Sequence, residues 1–128
     1  MRTAWAAGAA GVIVLPGSAD LYSPKVVRAS MGAIYHLELA YAQPEEAYQA
    51  LQQQGFQLLV ADAGGQPLPE VKQKEDVAWV LGNEANGPSD FWRQQAGAMV
   101  AIPMAAGVES LNVAVAAGIL LFSGLWQK

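Results

Sequence analysis

The sequence of 128 residues lacks cysteine and contains a single histidine, His36. Without cysteine the chain forms neither disulfides nor thiolate metal sites, and one histidine gives poor support to a zinc site or a Ser-His-Asp triad. We therefore expect no metal site. Charged residues make up only 14% of the chain and the net charge is −4, which argues against a domain that binds nucleic acid through bulk positive charge alone.

Long hydrophobic runs are also missing. The most apolar segment, Val113–Phe122, is shorter than the roughly 20 residues that a membrane-spanning helix needs. The N-terminus has Arg2 followed by alanines, without a convincing secretory cleavage pattern. We therefore predict a cytoplasmic protein with no membrane partner. The length and the apolar fraction of 53% fit a single globular domain with a substantial core.

Segments typical of strands and of helices alternate along the chain, which predicts an α/β domain with a largely parallel sheet. Short apolar runs predict strands at Gly11–Leu15, Ala33–Ala40, Phe56–Ala63, Val77–Gly82 and Ala98–Met104. Capping residues and terminal glycines predict helices at Ser23–Gly32, Pro44–Gly55, Ser89–Gly97 and Val108–Phe122. The segment GGQPLPEVKQKED is rich in glycine, proline and charge, and predicts an exposed loop.

The start of the chain is unusual for such a domain. The segment MRTAWAAGAAG has helical composition and runs directly into the first predicted strand. Because an α/β unit ordinarily opens with a strand, we expect that the chain is a fragment or that its start lies inside the domain.

Three polar segments that contain glycine follow predicted strands: LPGSAD, LGNEANG and IPMAAGVESLN. In open α/β sheets, ligands bind beyond the carboxyl ends of the strands, so these segments are candidates for a site. Taken alone, GNEANG is equally well explained as a simple turn. Neither G-x-x-x-x-G-K-[ST] nor G-x-G-x-x-G is present, which gives poor support to a nucleoside triphosphate site or an ordinary dinucleotide fold.

Four segments together carry a family resemblance: RTAWAAGAAGVIV, SPKVVRASMGAIYHLEL, VLGNEANGPS and IPMAAGVESLNVAVAAGILLF. In order and spacing they resemble the SpoU (TrmH-type) branch of the SPOUT RNA methyltransferases, over nearly the whole chain. The resemblance implies methyl transfer from S-adenosyl-L-methionine to a ribose 2′-OH of tRNA or rRNA. It also implies a homodimer and a C-terminal trefoil knot that wraps the cofactor. Residues 1–128 would then form the catalytic domain without its first strand.

The resemblance also assigns roles to individual residues. The catalytic candidates are Arg2, Glu84, Ser110 and Asn112. The candidates for binding the cofactor, some through their backbone, are Gly82, Asn83, Ile102, Met104, Gly107 and Leu111. The chain departs from the family pattern where the Asn and Gly that normally precede the arginine are absent, and where it carries Ala85 and Pro88.

The chemistry of the reaction suggests how the catalytic candidates would act. An arginine is effectively never neutral in a protein, so Arg2 is expected to fix a neighbouring phosphate and to stabilise the developing alkoxide rather than to act as a literal base. Ser110 and Asn112 would orient the ribose or Arg2, and Glu84 would hold its loop or the RNA. Lys25 and Arg28, one turn apart on the predicted second helix, would join Arg2 in a small basic patch or are ordinary surface charges.

Alternatives to this interpretation remain open. Ser110 and Asn112 would, in the simplest explanation, only cap the last helix. In a second interpretation the whole chain is a module of the same fold that binds cofactor or RNA, and it is inactive because the first strand is missing. An unrelated α/β regulator that binds nucleotides is a third and weaker interpretation.

Overall fold

The computed structural model describes residues 1–18, 20–82 and 87–126. The helices are α1 (Arg2–Ala6), α2 (Pro24–Ala29), α3 (Pro44–Gln53), α4 (Asp90–Gln95) and α5 (Val113–Trp126). The strands are β1 (Gly11–Val14), β2 (Glu38–Tyr41), β3 (Gln57–Pro67), β4 (Val77–Val80) and β5 (Ala98–Ala101). Two short 3₁₀ helices span Ala33–Tyr35 and Leu68–Glu70. Among the helices in these ranges, none is both long enough and apolar enough to cross a bilayer.

The strand pairs of the described residues are all parallel, and they form two sheets. β1 pairs with β2, while β3 lies between β4 and β5. Parallel neighbours need crossover connections, and α2 with the first 3₁₀ helix supplies the one between β1 and β2. The segment with the second 3₁₀ helix connects β3 to β4, and α4 then leads from β4 to β5. The prediction of an α/β fold with parallel strands flanked by helices is confirmed, with the strands divided between two sheets.

β3 is the centre of the packing. Leu58 and Val60 of β3 face a cluster with Ala47 of α3 and Trp92 of α4. The intervening Leu59 faces a second cluster that includes residues of β5 and α5. Alternate residues of a strand point to opposite faces, so this strand is buried on both sides, as its continuous apolar run predicts. A third cluster joins α1, the first 3₁₀ helix and α5.

The prediction of a strand over Ala33–Ala40 is wrong in its first part. Met31 and Gly32 both have positive φ, of 53° and 89°, and they turn the chain into the 3₁₀ helix instead. Ala33 and Leu37, four residues apart, are both buried in the third cluster, a spacing that suits a helical turn and not a strand. β2 therefore begins only at Glu38.

The prediction of an exposed loop after β3 is also wrong in part. β3 continues to Pro67, where it again pairs with β5, and Leu68 and Val71 beyond it are buried. The side chain of Gln57 holds the following segment, because its Nε2 donates to Lys72 O at 3.1 Å and its Oε1 accepts from Lys74 N at 2.8 Å. The buried side chains of Leu68 and Val71 thus attach this otherwise polar segment to the core.

Candidate functional site

The turn after β4 requires glycine at Gly82. A Cβ atom at this position would collide with the backbone of Gly87 and Pro88, so the two arms of the turn lie in direct contact. Gly87 has a φ of +67°, a left-handed conformation that glycine adopts without strain. Two residues predicted for the site, Asn83 and Glu84, lie outside the described residues.

The loop after β5 is exposed over most of its length. Ile102 still packs, half-buried, against the second cluster, whereas residues 103–110 are exposed and Met104 has 37% of its surface exposed. Val108 N donates to Ala105 O at 3.2 Å and closes a turn in which Gly107 has a φ of +91°. Glycine is favoured at this third position of the turn, where φ must be positive.

Asn112 caps α5. Its Oδ1 accepts a hydrogen bond from Ala114 N at 2.9 Å, and its backbone oxygen accepts from Ala116 N at 2.9 Å. The helix therefore begins at Val113, and the prediction of a start at Val108 is wrong, because the Gly107 turn and this cap set a later start. Capping explains part of the role of Asn112, and since its side chain is exposed, its Nδ2 group can donate to a ligand.

Ser110 and Leu111 lie between the Gly107 turn and α5. Ser110 is exposed in the loop and precedes the cap by two residues, whereas Leu111 is half-buried. The hydroxyl of Ser110 is thus close in sequence to the helix start but belongs to the exposed loop, where it can reach a ligand.

Arg2 lies in the first turn of α1, with its side chain exposed. α1 packs directly on α5, since a Cβ at Gly118 would lie 3.4 Å from Cγ2 of Thr3. Leu121 of α5 packs in the same cluster as Ala4. The helix that carries Arg2 therefore lies against the helix that Asn112 caps.

The family motifs around Arg2, around Gly82 and from Ile102 to Asn112 are the first, second and third motifs. The second and third motifs also meet at α5. Leu81, immediately before Gly82, packs against the second cluster together with Ile102, and Leu120 of α5 is a fully buried member of that cluster. All three predicted motifs are therefore attached to α5: the first through α1, the second and third through the second cluster. Gly82 and Ile102 follow β4 and β5, which flank β3 in the same sheet, so both leave it at its carboxyl edge.

Two features near this edge were not predicted from the sequence. Within β3, two residues beyond its last pairing with β4, Asp62 Oδ2 lies 3.7 Å from Nε of Arg93 on α4. Nη2 of Arg93 lies 3.5 Å from the place that a Cβ of Gly87 would occupy. An acidic residue inside an otherwise apolar predicted strand is the only sequence signal for this pair, and nothing in the sequence indicates its partner.

The described part of the predicted segment LPGSAD follows β1 of the smaller sheet, whereas the other two segments follow strands of the larger sheet. It contributes to a cavity of about 350 Å³ at the carboxyl ends of β1 and β2. The cavity is lined by residues 14–18 and 41–43 and by Glu46. Nearby, the Tyr41 hydroxyl accepts a hydrogen bond from Leu21 N at 3.1 Å.

The chain matches the model of the SpoU rRNA Methylase family over residues 1–122. The chain belongs to the SpoU rRNA methylase family. This confirms the resemblance seen in its four sequence segments.

Relatives and solved structures agree with this membership. The 23S rRNA (adenosine(1067)-2′-O)-methyltransferase of Streptomyces azureus is 35% identical over 94% of this chain and 46% of its own length. The AdoMet-bound rRNA methyltransferase from Sinorhizobium meliloti is 32% identical, with a TM-score of 0.90 over 98% of this chain and 49% of that chain. The SpoU methyltransferase AviRb from Streptomyces viridochromogenes in complex with AdoMet is 34% identical, with a TM-score of 0.89 over 98% of this chain and 50% of that chain. The chain thus spans about half the length of the relatives that it matches.

Proposed function

We propose that this chain transfers a methyl group from S-adenosyl-L-methionine to a ribose 2′-OH of rRNA or tRNA. The observation that carries the proposal is the attachment of all three motif segments to α5 in a chain of this family. The Sinorhizobium meliloti and AviRb structures contain AdoMet, and the Streptomyces azureus relative is a 2′-O-methyltransferase of 23S rRNA, which supports the same chemistry here.

We propose that the cofactor lies against the turn after β4 and the loop after β5. The closely apposed arms at Gly82 and the glycine turn at Gly107 present backbone groups without side chains in the way, which suits recognition through N–H and C=O groups. Ile102, Met104 and Leu111 would supply the apolar contacts. Asn83 is included by resemblance alone. The bound cofactor supplies an electrophilic methyl group on a sulfonium sulfur.

Arg2, Ser110 and Asn112 would handle the ribose. The guanidinium of Arg2 would hold the neighbouring phosphate and stabilise negative charge on the 2′-oxygen as it attacks. Nδ2 of Asn112 would donate to the ribose or its phosphate while Oδ1 remains engaged in the cap, and the Ser110 hydroxyl would share this positioning role. Glu84 would hold the turn or the RNA.

We further propose that two copies of the chain associate through α5. This helix is apolar all round, yet Val113 and Val115 are 39% and 52% exposed, as are the nearby Val108 and Met104 at 48% and 37%. Such a helix is stable only when covered, and a second copy would cover it. The trefoil knot, which rests on the family resemblance, and a cytoplasmic location, which suits an enzyme that modifies rRNA or tRNA, complete the proposal.

The function is tested by incubating the chain with S-adenosyl-L-methionine labelled in its methyl group and with unmodified rRNA or tRNA. We expect label on the RNA that survives alkaline hydrolysis as a dinucleotide, since a 2′-O-methyl group blocks cleavage of the adjacent phosphodiester. Calorimetry with S-adenosyl-L-methionine gives an independent readout. Binding of the cofactor without transfer to either RNA would instead favour the inactive module, which none of the named enzymes among the relatives supports.

A further inference from the structure

An aromatic stack lies on the surface of the described residues. The rings of Trp5 on α1 and His36 after the first 3₁₀ helix have centroids 4.3 Å apart and planes within 2° of parallel. Trp5 is 41% exposed, His36 is also exposed, and the adjacent Tyr35 is 83% exposed. Two stacked rings that are both exposed present a flat apolar face to water, which a planar ligand can cover.

This stack is on the same side of α1 as the proposed catalytic arginine. Arg2 and Trp5 are three residues apart, so their side chains are neighbours on one face of the helix. Ala4, between them in sequence, is buried in the third cluster and anchors the helix from the other side. Ala33 and Leu37 of the same cluster hold the segment that carries His36. The guanidinium and the stacked rings therefore form one surface on a fixed support.

The chemistry of this surface fits a nucleotide. Unpaired RNA bases stack on exposed aromatic side chains, and a guanidinium pairs with the adjoining phosphate. The chain has 7 basic residues and a net charge of −4, so phosphate attraction alone is a weak source of RNA affinity. Stacking does not depend on net charge. The chain around His36 carries one charge of each sign. Arg28 lies at the end of α2, before the 3₁₀ helix, and Glu38 begins β2 after that helix.

We infer that the Trp5–His36 stack is a platform for an unpaired base of the RNA, next to the nucleotide whose ribose is held at Arg2. The inference rests on the proposed function. A second copy of the chain is a less suitable occupant, since Arg2 forms no ion pair among the described residues and its burial against an apolar partner would cost free energy.

Three variants of the full chain test the platform: Trp5→Ala, Trp5→Phe and, as the matched control, Trp126→Ala. Trp126 is also an exposed tryptophan in contact with another ring, Phe122, but it lies at the far end of α5. The probe is a fluorescein-labelled single-stranded oligouridylate, followed by anisotropy at fixed low salt. Cofactor affinity by calorimetry, oligomeric state by sedimentation and thermal melting are measured on each variant.

We expect Trp5→Ala to weaken RNA binding by about fivefold to 150-fold, the range that one base–aromatic stack provides. Trp5→Phe should keep most of the affinity, and Trp126→Ala should match the wild type. Cofactor affinity and oligomeric state should not change. Equal RNA affinity in Trp5→Ala and the wild type would overturn the inference, and so would a shift in oligomeric state, which would mark the stack as a subunit contact. Failure of the wild type to bind cofactor at all would instead refute the proposed function.

Discussion

The first turn of α5 and its turns around Leu120 have similar apolar composition and opposite surroundings. Toward its C-terminus, Leu120 is fully buried and Ser123 is 5% exposed, with Ser123 accepting a hydrogen bond from Gln73 Nε2 at 2.8 Å. Toward its N-terminus, Asn112, Val113 and Val115 are exposed. The turns around Leu120 hold the two sheets and α1 together, while the first turn is open beside the loop of the third motif. Stability and function are therefore expected to separate along a single helix.

The largest effect should come from the buried turns around Leu120. Leu120→Ala removes a side chain with 0% exposure from the second cluster and should lower the free energy of unfolding by about 2–5 kcal/mol. Val115→Ala, at a position 52% exposed, is the matched control and should change the stability of an isolated chain by less than about 0.5 kcal/mol. Urea denaturation of both variants measures the difference. Similar losses in the two would mean that α5 is covered equally along its length.

A smaller loss is expected at the turn of the second motif. Gly82→Ala places a methyl group against the backbone of Gly87 and Pro88, and overpacking of this kind costs about 1–3 kcal/mol. Because the turn has to open, cofactor affinity should fall more than stability. Calorimetry with S-adenosyl-L-methionine is the measurement, and Gly64→Ala, where nothing lies within 4 Å of the added atom, is the control. An unchanged cofactor affinity would separate this turn from the site.

Asn112 offers a way to separate its two roles. Asn112→Ala removes the cap and should cost about 0.5–2 kcal/mol of stability. Asn112→Asp keeps an acceptor at the cap but replaces the Nδ2 donor, so it should preserve stability and lower the rate of methyl transfer. Melting temperature and transfer rate are measured on both variants. If Asn112→Asp transfers methyl groups as fast as the wild type, the side chain acts only as a cap.

The smallest effect should come from the partly exposed ion pair. Arg93→Ala breaks the contact with Asp62 at 3.7 Å, which contributes at most about 1 kcal/mol because the Arg93 side chain is 40% exposed. Lys72→Ala on the exposed segment after β3 is the control. The difference in unfolding free energy between the two variants measures the pair, and it should shrink further when the salt concentration is raised. A loss that salt does not reduce would show that Arg93 acts through packing.

The sequence predicts best where local patterns and burial agree. α3 begins at Pro44 as predicted, and Glu46 Oε1 accepts from Gln43 N at 3.1 Å, a bond made within one turn. β3 is visible in its continuous apolar run. For the site, the family motifs identify the Gly82 turn and the loop that ends at Asn112, and the structure attaches both to α5.

The sequence fails where distant contacts decide the conformation. The consecutive positive φ angles at Met31 and Gly32 have no strong local signal, since methionine rarely adopts this conformation. The continuation of β3 depends on Gly65, where an added Cβ would collide with the backbone of Met99 and Val100. The stack of Trp5 on His36 joins residues far apart in sequence. Each depends on tertiary packing that no short window of sequence contains.

The central claim is that Arg2, held against α5 by α1, acts on the ribose at a cofactor site built by the other two motifs. Single-turnover methyl transfer by Arg2→Ala, with S-adenosyl-L-methionine binding measured in parallel and Lys72→Ala as the control, tests it most directly. The account predicts unchanged cofactor affinity and a transfer rate about 10²–10³-fold below that of the wild type. Transfer by Arg2→Ala at the wild-type rate would contradict it.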